Sequence, residues 1–507
     1  MAGIVFCCLS FSAFAQKPQT LNYEPIPGTK ARNIIFILSD DHRYDFMGFT
    51  GKVPGLKTPN LDRIANEGAH FQNAFVSTAL CSPSRASILT GQYAHTHTVV
   101  DNQAAAPSSL IYFPQYLQKA GYQTSFFGKW HMGGGGADPR PGFNRWVSFA
   151  GQGDYYNPKL NVDGKMINYT DSSYVTDILT NYTLEWLDKR DKTKPFFVYL
   201  SHKAVHADFY PAKRDKGKYK DIRIQYPVSM FSTAGKDSKR FNRGDQADSS
   251  AYIFNYKDIP QWVRAQRYSW HGVDFMYHGQ TDFDKFYVDY LETLMGVDNS
   301  VGRVLDYLKA KGLDQETLVI YMGDNGFSFG EHGLIDKRHA YEESMRVPLI
   351  ARSPALIKPG TKVKEMVLNV DIAPSILEMA GVKRPKQMQG TSFLPLMKGN
   401  AVQNWRKEVF YEYYWENPFP QTPTQYAVRT DRYKFIRSQG IWDIDQLYDL
   451  QQDPYELNNI IRKPEMQGLA GDLNKKLWDW LSDTQGLYIP LKPIGDKKFD
   501  HVYKGTW

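Results

Sequence analysis

Asn33-Ile34-Ile35-Phe36-Ile37-Leu38-Ser39-Asp40-Asp41 is an apolar run closed by two adjacent carboxylates. A run without polar alternation is the pattern of a strand covered on both faces, as in a parallel sheet between helices. Similar runs fall at 124–127, 196–200, 317–322 and 347–351, and helical segments at 113–120, 174–189, 283–311 and 372–379 lie between them. A short helix starts at Thr58, with Pro59 in its first turn and Gly68 as its stop. Strands alternating with helices predict an α/β fold, with a mainly parallel sheet sandwiched by helices. From about Trp405 the texture changes. Short β-type runs at 408–413, 425–429 and 433–436 are followed by Tyr448-Asp449-Leu450 and an amphipathic helix over about 465–481. That end reads as a smaller antiparallel sheet plus a helix.

A chain of 507 residues has room for one large domain and a small one. With 42% hydrophobic and 23% charged residues it has the composition of a folded, soluble protein. The formal charge of +7 is spread without a basic stripe, which argues against nucleic acid and leaves room for an anionic substrate. Aromatics make up 14%, which suits a Tyr-rich core or sugar-stacking surfaces; composition alone favours the core. Residues 1–15, ending in Ala13-Phe14-Ala15, are expected to be a signal peptide, although a positive n-region is missing. No later segment is long and apolar enough to span a membrane. Loss of the leader removes Cys7 and Cys8 and leaves Cys81, a lone thiol that makes neither an intramolecular disulfide nor a Cys-rich zinc site. Export without disulfides points to a bacterial periplasm or exterior. The expected organisation is a leader at 1–15, a catalytic domain at 30–400 and a C-terminal subdomain at 401–507. Within the catalytic domain, 212–281 is too long for an ordinary connection and is read as a specificity insertion.

Asp40-Asp41 ends one strand and Gly323-Asp324-Asn325-Gly326 ends another. Each alone is a turn signal. Together, at the carboxyl ends of two parallel strands, they offer only oxygen ligands, which suit Ca²⁺ or Mg²⁺ rather than zinc. Cys81-Ser82-Pro83-Ser84-Arg85 opens a short helix that Gly91 stops, so Cys81 lies at the positive end with Arg85 within reach. A cysteine phosphatase needs Cys and Arg six positions apart, and here they are four apart. In Gly128-Lys129-Trp130-His131, Lys129 and His131 share a side if the backbone stays extended. Ser201-His202-Lys203-Ala204-Val205-His206 places two histidines after a strand, and Lys337 closes Glu331-His332-Gly333-Leu334-Ile335-Asp336-Lys337. His95-Thr96-His97 looks like a zinc pair but is read as structural or substrate-facing.

The Cys-x-Pro-x-Arg run and these neighbours resemble the formylglycine-dependent sulfatases over about residues 33–459. His95-Thr96-His97 with Val99-Val100-Asp101-Asn102 is most similar to the N-acetylglucosamine-6-sulfatase-like branch. The resemblance implies an alkaline-phosphatase-like fold. It also implies a sulfatase-maturing enzyme that oxidises Cys81 to formylglycine, whose hydrate attacks the sulfur of a sulfate ester. Implied metal ligands are Asp40, Asp41, Asp324, Asn325 and the modified Cys81, holding Ca²⁺, with Mg²⁺ as the alternative. Arg85, Lys129 and Lys337 are implied to bind sulfate and His131 to position the nucleophile. His206 is implied to protonate the leaving alcohol, with His202 as the competing choice. This chain carries Val205 where the family usually has Pro, and Gly323 where it often has Ser. The implied substrate is a sulfated carbohydrate, polymer or oligosaccharide, with the sugar, the sulfated position and exo or endo action left open. One rival is a phosphatase or phosphodiesterase on the same fold. Such enzymes use two metals, histidine-bearing clusters and a Thr or Ser nucleophile, against Asp324-Asn325 and Cys81 here. The other rival, a non-catalytic sulfated-glycan-binding protein, does not need the full set of Arg85, Lys129, His131, His206 and Lys337.

Overall fold

Ile34, Phe36 and Leu38 face one side of strand β1 (Asn33–Ser39), Ile35 and Ile37 face the other, and all five are fully buried. Two apolar layers therefore meet the sheet, one on each face. Helices Cys81–Thr90, Phe113–Lys119 and Ile372–Met379 cover the first with Ile88, Leu89, Tyr116, Leu117, Ile376 and Leu377. Helices Pro59–Asn66, Val175–Lys189 and Phe283–Ala310 cover the second with Leu61, Ile64, Leu179, Leu291 and Val301. The structure, a computed structural model, describes residues 21–132, 136–231, 256–276 and 282–488. The leader read at 1–15 with Cys7 and Cys8, residues 133–135, the parts 232–255 and 277–281 of the insertion, and 489–507 lie outside the described residues.

The other strands of the large sheet are β2 (Ala69–Phe75), β3 (Gln123–Lys129), β4 (Arg145–Phe149), β5 (Lys159–Val162), β6 (Lys165–Asn168), β7 (Phe196–Ser201) and β8 (Thr317–Gly323). A small hairpin, β9 (Ser328–Phe329) with β10 (Ile335–Asp336), precedes β11 (Leu349–Arg352) and β12 (Thr361–Leu368), which return to the sheet. The order is β12-β2-β11-β8-β1-β7-β3-β4-β5-β6. The middle block β8-β1-β7-β3-β4 is parallel throughout. β11 runs antiparallel to both its neighbours, and the β5–β6 hairpin closes the far edge. The fold is α/β and alkaline-phosphatase-like, with mixed margins.

Apart from β11, which the run at 347–351 indicates, the margins were not visible as strands in the sequence. β2 reads Ala-His-Phe-Gln-Asn-Ala-Phe, too polar for the buried-strand pattern because His70, Gln72 and Asn73 are only half-buried. β6 is mostly exposed and carries little apolar signal. A turn signal was available there: Asp163-Gly164 joins β5 to β6 with φ of 50° and 91°, the left-handed pair that two-residue hairpins favour.

Strands β13 (Glu408–Tyr413), β14 (Thr424–Thr430), β15 (Tyr433–Gln439) and β16 (Gln446–Asp449) form a four-stranded antiparallel sheet that carries helix Gln467–Asp483. Buried ion pairs tie it to the large sheet's loops. Lys434 Nζ lies 3.0 Å from Glu342 and 2.8 Å from Glu456, and Arg338 Nε donates to Glu416 at 2.8 Å. His95 Nδ1 meets Glu412 Oε2 at 2.8 Å, beneath Trp480, and Tyr414 donates to the same carboxylate. The His95-Thr96-His97 run is thus structural: His97 is hydrogen-bonded to Ser87 at 3.0 Å, and the two rings have separate partners.

Burial opposes the imidazolium of His95, but the Glu412 carboxylate raises its pKa above 6.5. Burial likewise opposes the Glu412 carboxylate, but His95 lowers its pKa below 4.5. The His95 contribution is full below pH 6.5 and is lost as pH rises through its folded value; the Glu412 contribution is full above pH 4.5 and is lost as pH falls through its folded value. Thermal melts of Glu412→Gln against the parent should therefore show the largest deficit between pH 4.5 and 6.5, and a smaller one on the alkaline side.

Candidate active site

β1 pairs with β8 so that Ser39 lies opposite Gly323, and with β7 so that Leu38 lies opposite Ser201. β3 joins β7 with Gly128 opposite Ser201. Four parallel strands therefore end at one level, and the residues after them face a common space, where open α/β sheets place their ligands. Asp41 turns the chain at once with φ of 52°, a left-handed conformation that Asp tolerates, and its N–H donates to Asp324 Oδ1 at 3.0 Å. Helix Cys81–Thr90 starts at the same level, with Gly91 ending it at φ 67°.

Carboxylate oxygens of Asp40, Asp41 and Asp324 lie within 4.8 Å of one another, all buried. Arg85 Nε donates to Asp324 Oδ2 at 2.9 Å, and its Nη1 donates to Ser201 Oγ and the Lys129 carbonyl, both at 2.7 Å. Lys129 Nζ bridges Asp40 Oδ2 and Gln152 Oε1. Lys337 Nζ straddles Asp41, at 2.5 and 2.7 Å from its two oxygens. Cys81 Sγ lies 3.4 Å from Asp40 Oδ1, and the Asp40, Cys81 and His206 donor atoms again fall within 4.8 Å. His206 Nδ1 hydrogen-bonds to the Ala207 carbonyl, which fixes the tautomer and leaves Nε2, 3.9 Å from Asp41 Oδ2, facing the cluster.

One placement differs from the sequence reading, and the competing histidine lies apart from the cluster. β3 stops at Lys129 and His131 has φ of 48°, so the expected alternation ends before it. His131 still reaches the site, through Ser82: Ser82 Oγ donates to its carbonyl, and Nδ1 lies 3.4 Å from that hydroxyl. His202 is turned away, with Nε2 at 3.1 Å from Ser300 Oγ on the long helix, and burial pushes its pKa down to about 3. Gln152, Ser82, Ser201 and Tyr155 complete the cluster without having been singled out from the sequence. Ser82 and Ser201 lay inside the quoted motifs. Gln152 sits in the loop after β4 and Tyr155 just beyond it, where no motif marks them.

Burial works against charge throughout this cluster. At Asp40 it is outweighed by Lys129 and Arg85, which hold the carboxyl well below its ordinary range. At Asp41, burial and the Asp40 charge prevail over Lys337 and lift it to about 6; at Asp324, burial and Asp40 prevail over Arg85 and lift it to about 7. Burial, then the nearby lysines, push His206 and His131 well below the usual imidazole value. Burial and the Asp40 charge push the Cys81 thiol up, so the unmodified residue stays protonated and a poor nucleophile.

The donor set fits a hard divalent cation. Three carboxylates converge, two of them with raised pKa values that an added positive charge would lower. The carbonyl oxygen of the Asn325 side chain is buried with no hydrogen-bond partner among the described residues. His332, Glu343 and Glu456 form a further grouping of ligand-type atoms. Lys434 already bonds Glu456 there.

An anion-handling cluster of this kind at the strand ends of an alkaline-phosphatase-like sheet defines a hydrolase of charged esters. The family comparison is more specific. The sulfatase family profile matches residues 32–382, and the profile described as N-sulphoglucosamine sulphohydrolase, C-terminal, matches 330–483. The chain is 35% identical to an N-acetylglucosamine-6-O-sulfatase of Bacteroides thetaiotaomicron, covering 94% of this chain and 90% of that protein. It is 30% identical to the N-acetylglucosamine-6-sulfatase of Capra hircus over 89% of this chain and 83% of that one. A solved structure in complex with its substrate D-glucosamine-2-N,6-O-disulfate superposes with a TM-score of 0.77 at 33% identity, covering 90% of this chain and 99% of that one. The chain belongs to the sulfatase family and is a sulfuric ester hydrolase. Enzymes of this family generally work with a formylglycine and a divalent metal. A phosphonate monoester hydrolase of Agrobacterium radiobacter, 20% identical with a TM-score of 0.70, shares the fold.

Proposed function

We propose that this enzyme removes the 6-O-sulfate of a glucosamine unit in a sulfated carbohydrate, using a formylglycine at position 81 and a bound Ca²⁺. The observation that carries the reading is the placement of Cys81, 3.4 Å from Asp40 in a cluster that also gathers Arg85, Lys129, Lys337 and His206. The substrate comes from the relatives named above, which act on or bind 6-sulfated glucosamine. Asp40, Asp41, Asp324 and Asn325 would hold the cation, with position 81 completing its shell; oxygen-only donors suit Ca²⁺, and Mg²⁺ is the alternative. The formylglycine hydrate would supply an oxygen nucleophile and a second hydroxyl for release of sulfate, and the cation would supply positive charge beside that oxygen.

The chain's own residues do the rest. Arg85, Lys129 and Lys337 present three cations to the sulfuryl oxygens, held in place by Asp40, Asp41, Asp324 and Gln152 before any substrate arrives. His206 keeps Nδ1 on the Ala207 carbonyl, so the proton for the leaving oxygen must sit on Nε2. Burial and two lysines favour the neutral ring in the free enzyme, and the negative charge of a bound sulfate ester favours the imidazolium. His131, tied to Ser82 next to position 81, is placed to accept a proton there. A maturing enzyme is the partner this reading calls for, and the leader-like residues 1–15 support a bacterial periplasm or the cell exterior as its location.

Mass spectrometry of the peptide containing position 81, from protein made together with a maturing enzyme, should find the aldehyde in place of the thiol. The same preparation should release sulfate from D-glucosamine-2-N,6-O-disulfate, and Cys81→Ala should release none while melting at the parent temperature. Full turnover by Cys81→Ala removes the nucleophile assignment. His206→Ala should lower kcat by about 10²–10⁴-fold. For the cation, Ca²⁺ at a hundredfold excess over its Kd should stabilise the metal-stripped protein by about 2.7 kcal/mol. In Asp324→Asn that thermal shift should shrink, whether or not position 81 is converted.

A further inference from the structure

Beyond His206 the chain runs Ala207-Asp208-Phe209-Tyr210-Pro211, and three tyrosines fasten this stretch between the cluster and the surface. Tyr155 OH donates to the His206 carbonyl at 2.7 Å, Tyr174 OH to the Tyr210 carbonyl at 3.0 Å and Tyr156 OH to the Pro211 carbonyl at 2.8 Å. On its outer side lies a groove of about 410 Å³ lined by Tyr156, Phe209, Tyr210, Lys213, Lys216 and Lys285 among others. Tyr210 is 55% exposed, and its ring packs edge-on against Tyr155, with centroids 6.0 Å apart. Tyr155 thus touches the backbone of His206 at one end and the Tyr210 ring beside the groove at the other.

The charges of this groove are unbalanced. Nearby basic residues have partners: Arg214 pairs with Asp177, Lys218 with Asp215 and Lys285 with Asp289. Lys213 and Lys216 are exposed and form no ion pair with a carboxylate among the described residues. Two unpaired ammonium groups beside an exposed flat ring fit a ligand that combines negative charge with the apolar face of a pyranose. The volume lies within the range of small-ligand sites.

We propose that this groove is a subsite for an anionic sugar residue adjoining the sulfated sugar that is hydrolysed. The inference rests on the substrate reading above. In that reading His206 serves the leaving oxygen, so the rest of the glycan extends from the His206 side, which is where the groove lies. The enzyme is then built for sulfated oligosaccharides or polymers rather than for a free monosaccharide.

Steady-state kinetics of the converted enzyme on two probes test this, the monosaccharide D-glucosamine-2-N,6-O-disulfate and a heparin-derived tetrasaccharide ending in the same unit. In Lys213→Glu/Lys216→Glu the KM for the tetrasaccharide should rise by about tenfold, two reversed surface charges acting together. The KM for the monosaccharide should move less than about twofold, within the scatter expected for remote surface changes. Tyr210→Ala should show the same selectivity, and added salt should weaken the parent's preference for the tetrasaccharide. Equal effects on both probes, or none on either, overturn the proposal. Calorimetric binding of the tetrasaccharide to Cys81→Ala, with and without the two charge reversals, keeps the tests separate. Loss of binding on reversal supports the groove even if neither probe is hydrolysed. Unchanged binding, or no binding to begin with, overturns it.

Discussion

Strands β8 and β1 run parallel with Ser39 opposite Gly323, and this register decides what chemistry the molecule can hold. It brings Asp40 and Asp41 to the same height as Asp324 and Asn325, so three buried carboxylates converge. Buried carboxylates at such separations repel one another and resist desolvation, so they persist only with compensating charge. Arg85, Lys129 and Lys337 supply it from a helix, a strand end and a loop. A shift of one residue in β1 would turn Ile34, Phe36 and Leu38 to the opposite helical layer and carry both aspartates out of the cluster. Core packing and site geometry are therefore fixed by the same pairing.

The cluster also explains why the helix carrying Cys81 is buried over its whole length, although its sequence, Cys-Ser-Pro-Ser-Arg-Ala-Ser-Ile-Leu-Thr, is not markedly apolar. Its small polar residues are satisfied internally. Ser84 is held by Asn369, Ser87 by His97, and Thr90 by the carbonyl of Ala86. Small hydroxyls let the helix approach the strand tips closely enough for Arg85 to reach Asp324, Ser201 and the Lys129 carbonyl at once.

Much of this was legible in the chain itself. Fully buried strands such as β1, β7 and β8 announce themselves because both faces are apolar, and long helices such as Phe283–Ala310 carry a clear period. Margin strands such as β2 and β6 contact core on one side or scarcely at all, and their residues follow local solvent exposure rather than a pattern. Within the site, residues inside contiguous motifs were recognisable. Gln152 and Tyr155 were not, because their roles come from loops brought close by tertiary packing. The choice between His202 and His206 could not be made on spacing alone. The structure sets the first ring against Ser300 and the second beside Asp41.

Cys81 is buried in the folded protein, with none of the residue's surface exposed. A second protein is far bulkier than a sulfate ester, and helix Cys81–Thr90, buried over its whole length, offers it no exposed segment to bind. The maturing enzyme proposed above would then act on the chain before this helix is packed. Under the proposed conversion, a chain that folded first would keep its thiol.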